Sequence, residues 1–157
     1  MTDRTTVGID LAKQAFSVCV VDARGKVIGR HELKRDSLAR FLQQLATGTV
    51  VAMEACSSAH CWGRLSLSCG LVPRLMAAQF VQSFRKSIAV KNDRNDAEAI
   101  ATAARQGNMR FVPLKSEAQQ ARLSWHRARE GYKKENLAIM NRMRGLMNTH
   151  YQALWLP

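Results

Sequence analysis

The sequence lacks the features of membrane and secreted proteins. No apolar run approaches the ~20 residues that a membrane-spanning helix requires. The opening residues, MTDRTTVGID, contain no basic region followed by an apolar one, so no signal peptide is visible. We therefore expect a cytoplasmic protein that does not contact a membrane.

Cysteine is scarce, and the four cysteines lack the paired CxxC spacing of zinc knuckles. A chain of 157 residues is long enough to fold without disulfides or metal, so reduced, partly buried thiols are expected. The alternative, which this spacing disfavours, is a zinc site formed by Cys56, His60, Cys61 and Cys69.

Acidic residues are half as numerous as basic ones: 12 Asp and Glu stand against 24 Lys and Arg, for a net charge of +12. Residues 1–60 carry 8 basic and 6 acidic groups, whereas residues 61–157 carry 16 and 6. A surplus of this size predicts a polyanionic partner, bound through phosphate neutralisation and counterion release. The alternative is a basic protein whose charges are merely solvated.

Short β-branched runs predict an antiparallel meander at the start of the chain. The runs are TTVGID (5–10), FSVCVVD (16–22) and VIGRHEL (27–33), and Gly25 supplies the second turn, where a positive φ is easily adopted. Further strands are predicted at 49–54 and 71–77, and helices at about 36–46, 57–70, 79–87 and 93–107. Asp36 or Ser37 is the predicted cap of the first helix, and Ser57 or Ser58 that of the second. This order of elements is typical of an α/β layer with a mixed sheet.

A long helix is predicted from Ser116 to Leu156, because that segment has no proline and its apolar residues recur at steps of three and four. The stripe consists of residues 121, 125, 128, 132, 136, 140, 143, 147, 151 and 154, with Asn136 as a polar position. Such a stripe indicates a coiled-coil-like seam for a partner helix. At 1.5 Å per residue the helix would be roughly 54 Å long, so we expect it to project, as a unit over 115–157, from a domain over 1–114.

The other faces of this predicted helix are basic. They carry Arg122, Arg127, Arg129, Lys133, Lys134, Arg142 and Arg144, against Glu117, Glu130 and Glu135. With the charge of the whole chain, this pattern favours a nucleic-acid-binding track. The alternative is a solvated face supported by a Glu130–Lys134 pair.

Four carboxylates could form one site. Asp10 and Glu54 each close a predicted strand, and both would emerge at one edge of the sheet if the fourth strand paired beside the first. Asp93 and Asp96, three residues apart, share a face of their helix. The alternatives are that the helical pair only caps its helix, that Asp10 is a turn residue, and that Glu54 is a surface acid.

Such a tetrad would carry a charge near −4, which two divalent cations would balance. Mg²⁺, or Mn²⁺, suits an all-oxygen ligand set. Two such ions roughly 4 Å apart would activate a nucleophile and stabilise the leaving oxygen of a phosphodiester. Lys91 and Arg94 flank the helical acids as candidate nucleic-acid contacts. Glu98 lies about 200° around the helix from Asp96 and is left outside the predicted site.

Three segments resemble one known family. VGIDLAKQAFSVCVVDARGKVI, VVAMEACSSAHCWGRLSLSCGLVPRLMAAQFVQSFRKS and VKNDRNDAEAIATAARQG are similar to the amino-terminal domain of the DEDD transposases of bacterial insertion sequences, the IS-one-ten type, which includes the pilin-gene invertases. The resemblance covers about residues 5–151 and includes NRMRGLMNTHY. It implies an RNase H-like, RuvC-like fold, with Asp10, Glu54, Asp93 and Asp96 as the catalytic, metal-binding acids.

The same resemblance implies a coiled-coil region, a homo-oligomer (dimer or tetramer), DNA cleavage and strand exchange, and a structured guide RNA. Full-length relatives carry a nucleophilic serine in a second domain, and this chain ends at YQALWLP, before any such domain. We therefore do not expect complete recombination by this polypeptide alone.

Three other functions compete with this interpretation. GID followed by VVDARGKVI also resembles the phosphate-binding start of sugar kinases and actin-like ATPases, but the Gly-rich second phosphate segment is missing. The others are a Holliday-junction-resolvase-like nuclease and a non-catalytic fragment that binds nucleic acid and oligomerises.

Overall fold

The computed structural model describes residues 4–12, 15–84 and 93–154, without the side chains of residues 93, 94 and 151–154. The chain divides into two compact units, residues 1–114 and 115–157. Each unit is described by itself.

The first unit is built on a six-stranded sheet. Its strands are β1 (Thr6–Leu11), β2 (Phe16–Val21), β3 (Val27–Leu33), β4 (Val50–Glu54), β5 (Val72–Met76) and β6 (Phe111–Val112). The helices of this unit are α1 (Arg35–Gln44), α2 (Ala59–Ser68), α3 (Ala78–Gln82) and α4 (Asp93–Ala104). The strand order is β3-β2-β1-β4-β5-β6. The two pairs β1–β4 and β4–β5 are parallel and the other three are antiparallel, so the predicted mixed sheet is confirmed.

The apolar side chains of the central strands divide between two faces, since successive residues of a strand point to opposite sides. On one face Ile9, Val51 and Met53 pack with Leu38 of α1 and Trp62 of α2 in the larger core cluster. On the other face the sheet packs against α4. The central strands are therefore covered on both sides, which explains their continuous apolar runs.

Helix α4 lies in backbone contact with β1 at Gly8. A Cβ atom placed on Gly8 would lie 2.2 Å from the carbonyl oxygen of Ala97 and 2.6 Å from the backbone nitrogen of Ala101. Both alanines are buried, at 1% and 0% exposure. A glycine in the strand and alanines on the helix thus allow an approach that any larger side chain at residue 8 would prevent.

The turn between β2 and β3 is held by Asp22. Its Oδ1 accepts hydrogen bonds from the backbone N–H groups of Lys26, at 2.8 Å, and of Arg24, at 2.9 Å. The bond from Lys26 is the main reason why the pKa of Asp22 lies below its ordinary value. Gly25 adopts φ of 93°, so the positive φ predicted for this turn is confirmed.

The predicted strands agree with the structure to within one residue at each end, whereas only one of the two predicted helix caps is found at its predicted position. Helix α1 begins at Arg35 with Lys34 in the cap position, so the prediction of Asp36 or Ser37 was wrong. Ser58 occupies the cap position of α2, but its side chain makes no cap hydrogen bond. Of the helix predicted over 79–87, the structure has Ala78–Gln82, and residues 85–87 lie outside the described part. The pattern also missed β6, because two residues of an edge strand are too short to show a period.

The second unit contains one helix, α5 (Glu117–Leu154), of 38 residues. Several of its large apolar side chains are exposed, with Trp125 at 78% and Leu146 at 70%. Within the described ranges, no helix is both long enough and apolar enough to cross a membrane.

We predict that Gly8→Ala destabilises the first unit by about 2 kcal/mol or more, because the added methyl group overlaps backbone atoms that cannot move independently. Gly107→Ala is the matched control, since a Cβ at Gly107 would meet nothing within 4 Å. Chemical denaturation of the two variants and the parent measures both effects. Equal loss of stability in the two variants would contradict the proposed closeness of α4.

Candidate active site

Asp10 and Glu54 occupy equivalent positions on two neighbouring parallel strands. Ile9 pairs with Met53, so the next residues along β1 and β4 are Asp10 and Glu54. Asp10 shares a sheet face with Gly8, and Glu54 shares one with Ala52, because side chains alternate along a strand. Gly8 pairs with Ala52, and both lie on the face that α4 covers. The strand pairing that the predicted site requires is therefore present.

The direction of α4 follows from Arg105, just beyond the end of that helix. Its guanidinium donates hydrogen bonds to the carbonyl oxygens of Asp22, at 2.8 Å, and of Ala23. Asp22 follows Val21, which pairs with Thr6 at the start of β1. The carboxyl-terminal end of α4 thus lies at the beginning of β1.

With Ala97 above Gly8, the amino-terminal end of α4 extends toward the carboxyl ends of β1 and β4. Asp93 is the first residue of α4, and Asp96 lies in the same turn. The elements that carry the four predicted acids consequently converge on one end of the sheet.

Asp96 is buried, with 8% of its surface exposed. A carboxylate at this depth requires hydrogen bonds or compensating charge. The first turn of a helix contributes both, because its free N–H groups and the helix dipole favour negative charge. The position therefore holds the carboxyl group of Asp96 among the backbone groups of α4.

Glu98 has a different partner. Its carboxylate forms an ion pair with the guanidinium of Arg30 on β3. The hydrogen bond to Glu98 is the main reason why the pKa of Arg30 is raised above its ordinary value. This pair connects the side of α4 to strand β3.

The described side chains do not by themselves form a metal-binding cluster. Among them, no three Asp, Glu, His or Cys side chains lie close enough together to hold a metal ion. Asp10, Glu54 and Asp96 are within this set, whereas the side chain of Asp93 is outside it. Two features fit a divalent cation. All four acids offer oxygen ligands, and the elements that carry them meet at one end of the sheet. Their role as one site remains a prediction.

The same holds for the alternative zinc site: in the part of the chain that the structure describes, no three of Cys56, His60, Cys61 and Cys69 lie close enough together to hold a metal ion. Cys56 and Cys61 are exposed free thiols, Cys69 is half-buried, and His60 is buried. The Sγ atom of Cys56 lies 3.4 Å from the Oγ atom of Ser58.

The predicted nucleic-acid contacts on α5 are all exposed: Arg122, Arg127, Arg129, Lys133, Lys134, Arg142 and Arg144. Glu130 forms ion pairs with Lys133, at 3.1 Å, and with Arg129, at 3.8 Å. Among the described side chains, the Glu130–Lys134 pair of the alternative interpretation is not formed. Lys91 lies outside the described residues, and so does the side chain of Arg94.

Sequence reasoning missed Gly8 and Arg105, the two residues that position α4 on the sheet. A glycine inside an apolar strand is the available signal for the close approach at Gly8. No sequence signal identifies the acceptors of Arg105, because they are backbone carbonyl groups more than 80 residues away along the chain.

The chain is similar to known transposases. A family model described as a transposase, of the DEDD IS110 type, matches residues 7–152. The chain is 45% identical over 141 residues to a probable family 20 transposase of Pseudomonas aeruginosa, covering 90% of this chain and 41% of that protein. It is 39% identical over 150 residues to the transposase for insertion sequence element IS1111A of Coxiella burnetii, covering 96% and 40%. The chain thus spans about two fifths of the length of these curated relatives.

The fold has a known counterpart. The RuvC structure of Thermus thermophilus superposes with a TM-score of 0.50 and 15% identity, covering 69% of this chain and 99% of RuvC. At this identity the likeness concerns the fold, which is the RNase H-like, RuvC-like architecture expected from the sequence.

Proposed function

The chain belongs to the DEDD transposase family of the IS110 type, and we propose that it carries the DNA-cleaving acids of a transposase or recombinase of an insertion sequence. The observation that carries the proposal is the convergence of Asp10, Glu54 and the first turn of α4 at one end of the sheet. The activity is DNA strand cleavage and exchange that depends on a divalent metal. DNA is accordingly the proposed partner of the acidic site.

Asp10, Glu54, Asp93 and Asp96 are the proposed metal-binding residues. Two divalent ions, Mg²⁺ or Mn²⁺, would supply an activated nucleophile and stabilise the charge on the leaving oxygen of a phosphodiester. The chain's own contribution is to hold the four carboxylates on rigid elements. Gly8 sets the height of α4 above the sheet, and Arg105 fixes its far end, so a change at either residue alters the position of the helical acids.

The basic surface of α5 is the proposed nucleic-acid track. Seven exposed Lys and Arg side chains on one helix can neutralise phosphates along an extended strand. The partner there is DNA or a structured guide RNA; the RNA is suggested by the family resemblance and by the same basic chemistry. Such a protein would act in the bacterial cytoplasm, where the chromosome lies.

Helix α5 is also the proposed oligomerisation element, forming a dimer or tetramer. Trp125, Tyr132, Met143 and Leu146 expose 58–78% of their surfaces along one predicted stripe or beside it. An exposed apolar stripe on a helix of 38 residues favours a second helix as its partner.

A second candidate function is nucleic-acid binding and oligomerisation without cleavage. The observation that favours it is that α5, with its basic and apolar side chains, belongs to one compact unit, whereas the four acids belong to the other. The two candidate functions can be distinguished by experiment. In the second, the chain would bind nucleic acid without cleaving it, and substitution of the four acids would leave binding unchanged.

We predict that millimolar Mg²⁺ raises the melting temperature, because a ligand that binds only the folded state stabilises it. At an ion concentration of about 100 Kd the gain is about 2.7 kcal/mol. Asp10→Asn should remove this gain, and should itself stabilise the metal-free protein by reducing carboxylate repulsion. Asp36→Asn, an exposed acid on α1, is the control and should retain the gain. A melting temperature that does not change in the parent would contradict the metal site.

We predict that the parent nicks branched or linear DNA in Mg²⁺ or Mn²⁺, and that Asp96→Asn lowers the rate by at least about 100-fold, the usual size of a lost catalytic group. Gel assays of labelled DNA measure the rate, and Asp36→Asn is again the control. Binding without nicking by the parent would favour the second candidate function.

We predict that replacing Arg127, Lys133 and Lys134 by alanine weakens binding to double-stranded DNA and flattens its salt dependence. Each lost phosphate contact should reduce the slope of log K against log salt by about 0.9. The matched control replaces Lys26, Arg40 and Arg110, which are exposed basic residues of the first unit. Titrations at several salt concentrations measure the slopes, and identical slopes for the parent and the α5 variant would rule out the track.

A further inference from the structure

A row of polar residues extends across the sheet from the proposed acids. Asp10 of β1 pairs with Ser17 of β2, and Ser17 pairs in turn with Glu32 of β3. Directly paired residues of neighbouring strands point to the same face, so all three lie on the face that α4 covers. Strand β3 is the edge of the sheet. The row therefore leads from the acids to an open edge.

A cavity of about 290 Å³ lies on this row. Its lining residues are Ser17, Val18, Arg30, His31 and Glu32. On the face that α4 covers, the cavity thus combines a hydroxyl, a guanidinium and a carboxylate, whereas His31 pairs with Val18 on the opposite face and packs against Phe41. Arg30 also holds Glu98 of α4, so its position at the cavity is fixed by an ion pair.

Ser17 is the unusual member of this lining, because it is more than nine-tenths buried, at 7% exposure. In the part of the chain that the structure describes, its hydroxyl has no hydrogen-bond partner. The neighbouring residues Phe16 and Val18 pack into the core on the opposite face. Since a buried hydroxyl without a partner costs free energy, the site favours a ligand that bonds to it.

The three polar groups specify the chemistry of that ligand. A guanidinium only donates hydrogen bonds, an ionised carboxylate only accepts them, and a hydroxyl does both. A phosphodiester offers acceptors, which suit Arg30 but not Glu32. A sugar hydroxyl both donates and accepts, which suits Glu32 and Ser17 together. One nucleotide with a free sugar hydroxyl meets all three requirements.

We propose that this cavity, the sugar pocket, binds one nucleotide of a nucleic-acid strand beside the acidic site. Ser17 and Glu32 hydrogen-bond to its sugar hydroxyl, and Arg30 contacts a phosphate oxygen. The inference rests on the proposed function, because the strand is the one presented to the acids. The volume is near the lower end of the ~300–1,000 Å³ typical of ligand pockets, which suits a single nucleotide. The hydroxyl is either the 2′-OH of an RNA or the 3′-OH at the end of a DNA strand.

Three labelled probes of one sequence distinguish these sources. They are single strands of about 16 nucleotides, within the usual range of site sizes: an RNA with a 3′-dideoxy end, a DNA with a 3′-hydroxyl end and a DNA with a 3′-dideoxy end. Binding of the whole chain is measured by fluorescence anisotropy in EDTA, which prevents cleavage. Ser17→Ala should lower affinity about three- to tenfold for the RNA alone or for the 3′-hydroxyl DNA alone, as expected for one lost hydrogen bond.

Two further variants make the test specific. Glu32→Gln should weaken binding of the same probe, and its exposed position makes a folding defect improbable as the cause. Ser68→Ala, on α2, is the matched control, because its hydroxyl already bonds to the carbonyl oxygen of Leu65. This control should bind all three probes like the parent.

The sugar pocket is overturned if the parent binds the probes but Ser17→Ala and Glu32→Gln affect all three equally, or affect none. The proposed function survives that result, since the parent still binds nucleic acid. If the parent binds none of the probes, both proposals fail together. If Ser17→Ala lowers the melting temperature, its weaker binding is not counted. The effect of Glu32→Gln on the three probes then decides whether the sugar pocket exists.

Discussion

The first unit depends on one contact, the approach of α4 to β1 at Gly8. Backbone atoms of Ala97 and Ala101 lie where the first side-chain atom of any other residue would be. Such a contact leaves no room for water between the two backbones and limits how far the helix can stand from the sheet. Arg105 then determines its direction, because its guanidinium reaches the carbonyl groups after β2. A helix fixed at its middle and at one end also has its other end fixed.

This constraint matters for the proposed site, because the chain carries a net charge of +12 and the four proposed acids would repel one another. Mutually repelling carboxylates stay together only when the elements that carry them cannot separate. Strands β1 and β4 are joined by parallel pairing, and α4 is held by close packing. The proposed acids therefore lie on closely packed elements, whereas the seven Lys and Arg side chains of α5 are exposed to solvent.

The longer strands of the first unit could be predicted from the sequence because each kind of strand leaves its own pattern. TVVAME is the continuous apolar run of a strand covered on both faces, VIGRHEL is the alternating run of an edge strand, and the predicted strands lie within one residue of their predicted ends. The cap of α1 could not be predicted, because Lys34 has no side chain typical of a cap, whereas Ser58 was predicted at the cap position of α2 and lies there. Strand β6 has only two residues, too few to show a period. The pairing of Glu130 with Lys133 depends on side-chain geometry, which the sequence does not specify.

The sequence by itself determined which residues could bear the chemistry: the strand-end acids Asp10 and Glu54, the helical pair Asp93 and Asp96, and the basic face of the last helix. Those assignments follow from residue type and spacing, which are local properties. The tertiary structure alone decided that β4 pairs beside β1, that α4 runs antiparallel to both, and that Ser17 stands in register between Asp10 and Glu32. Register and helix direction are set by contacts between distant residues, so no local pattern contains them.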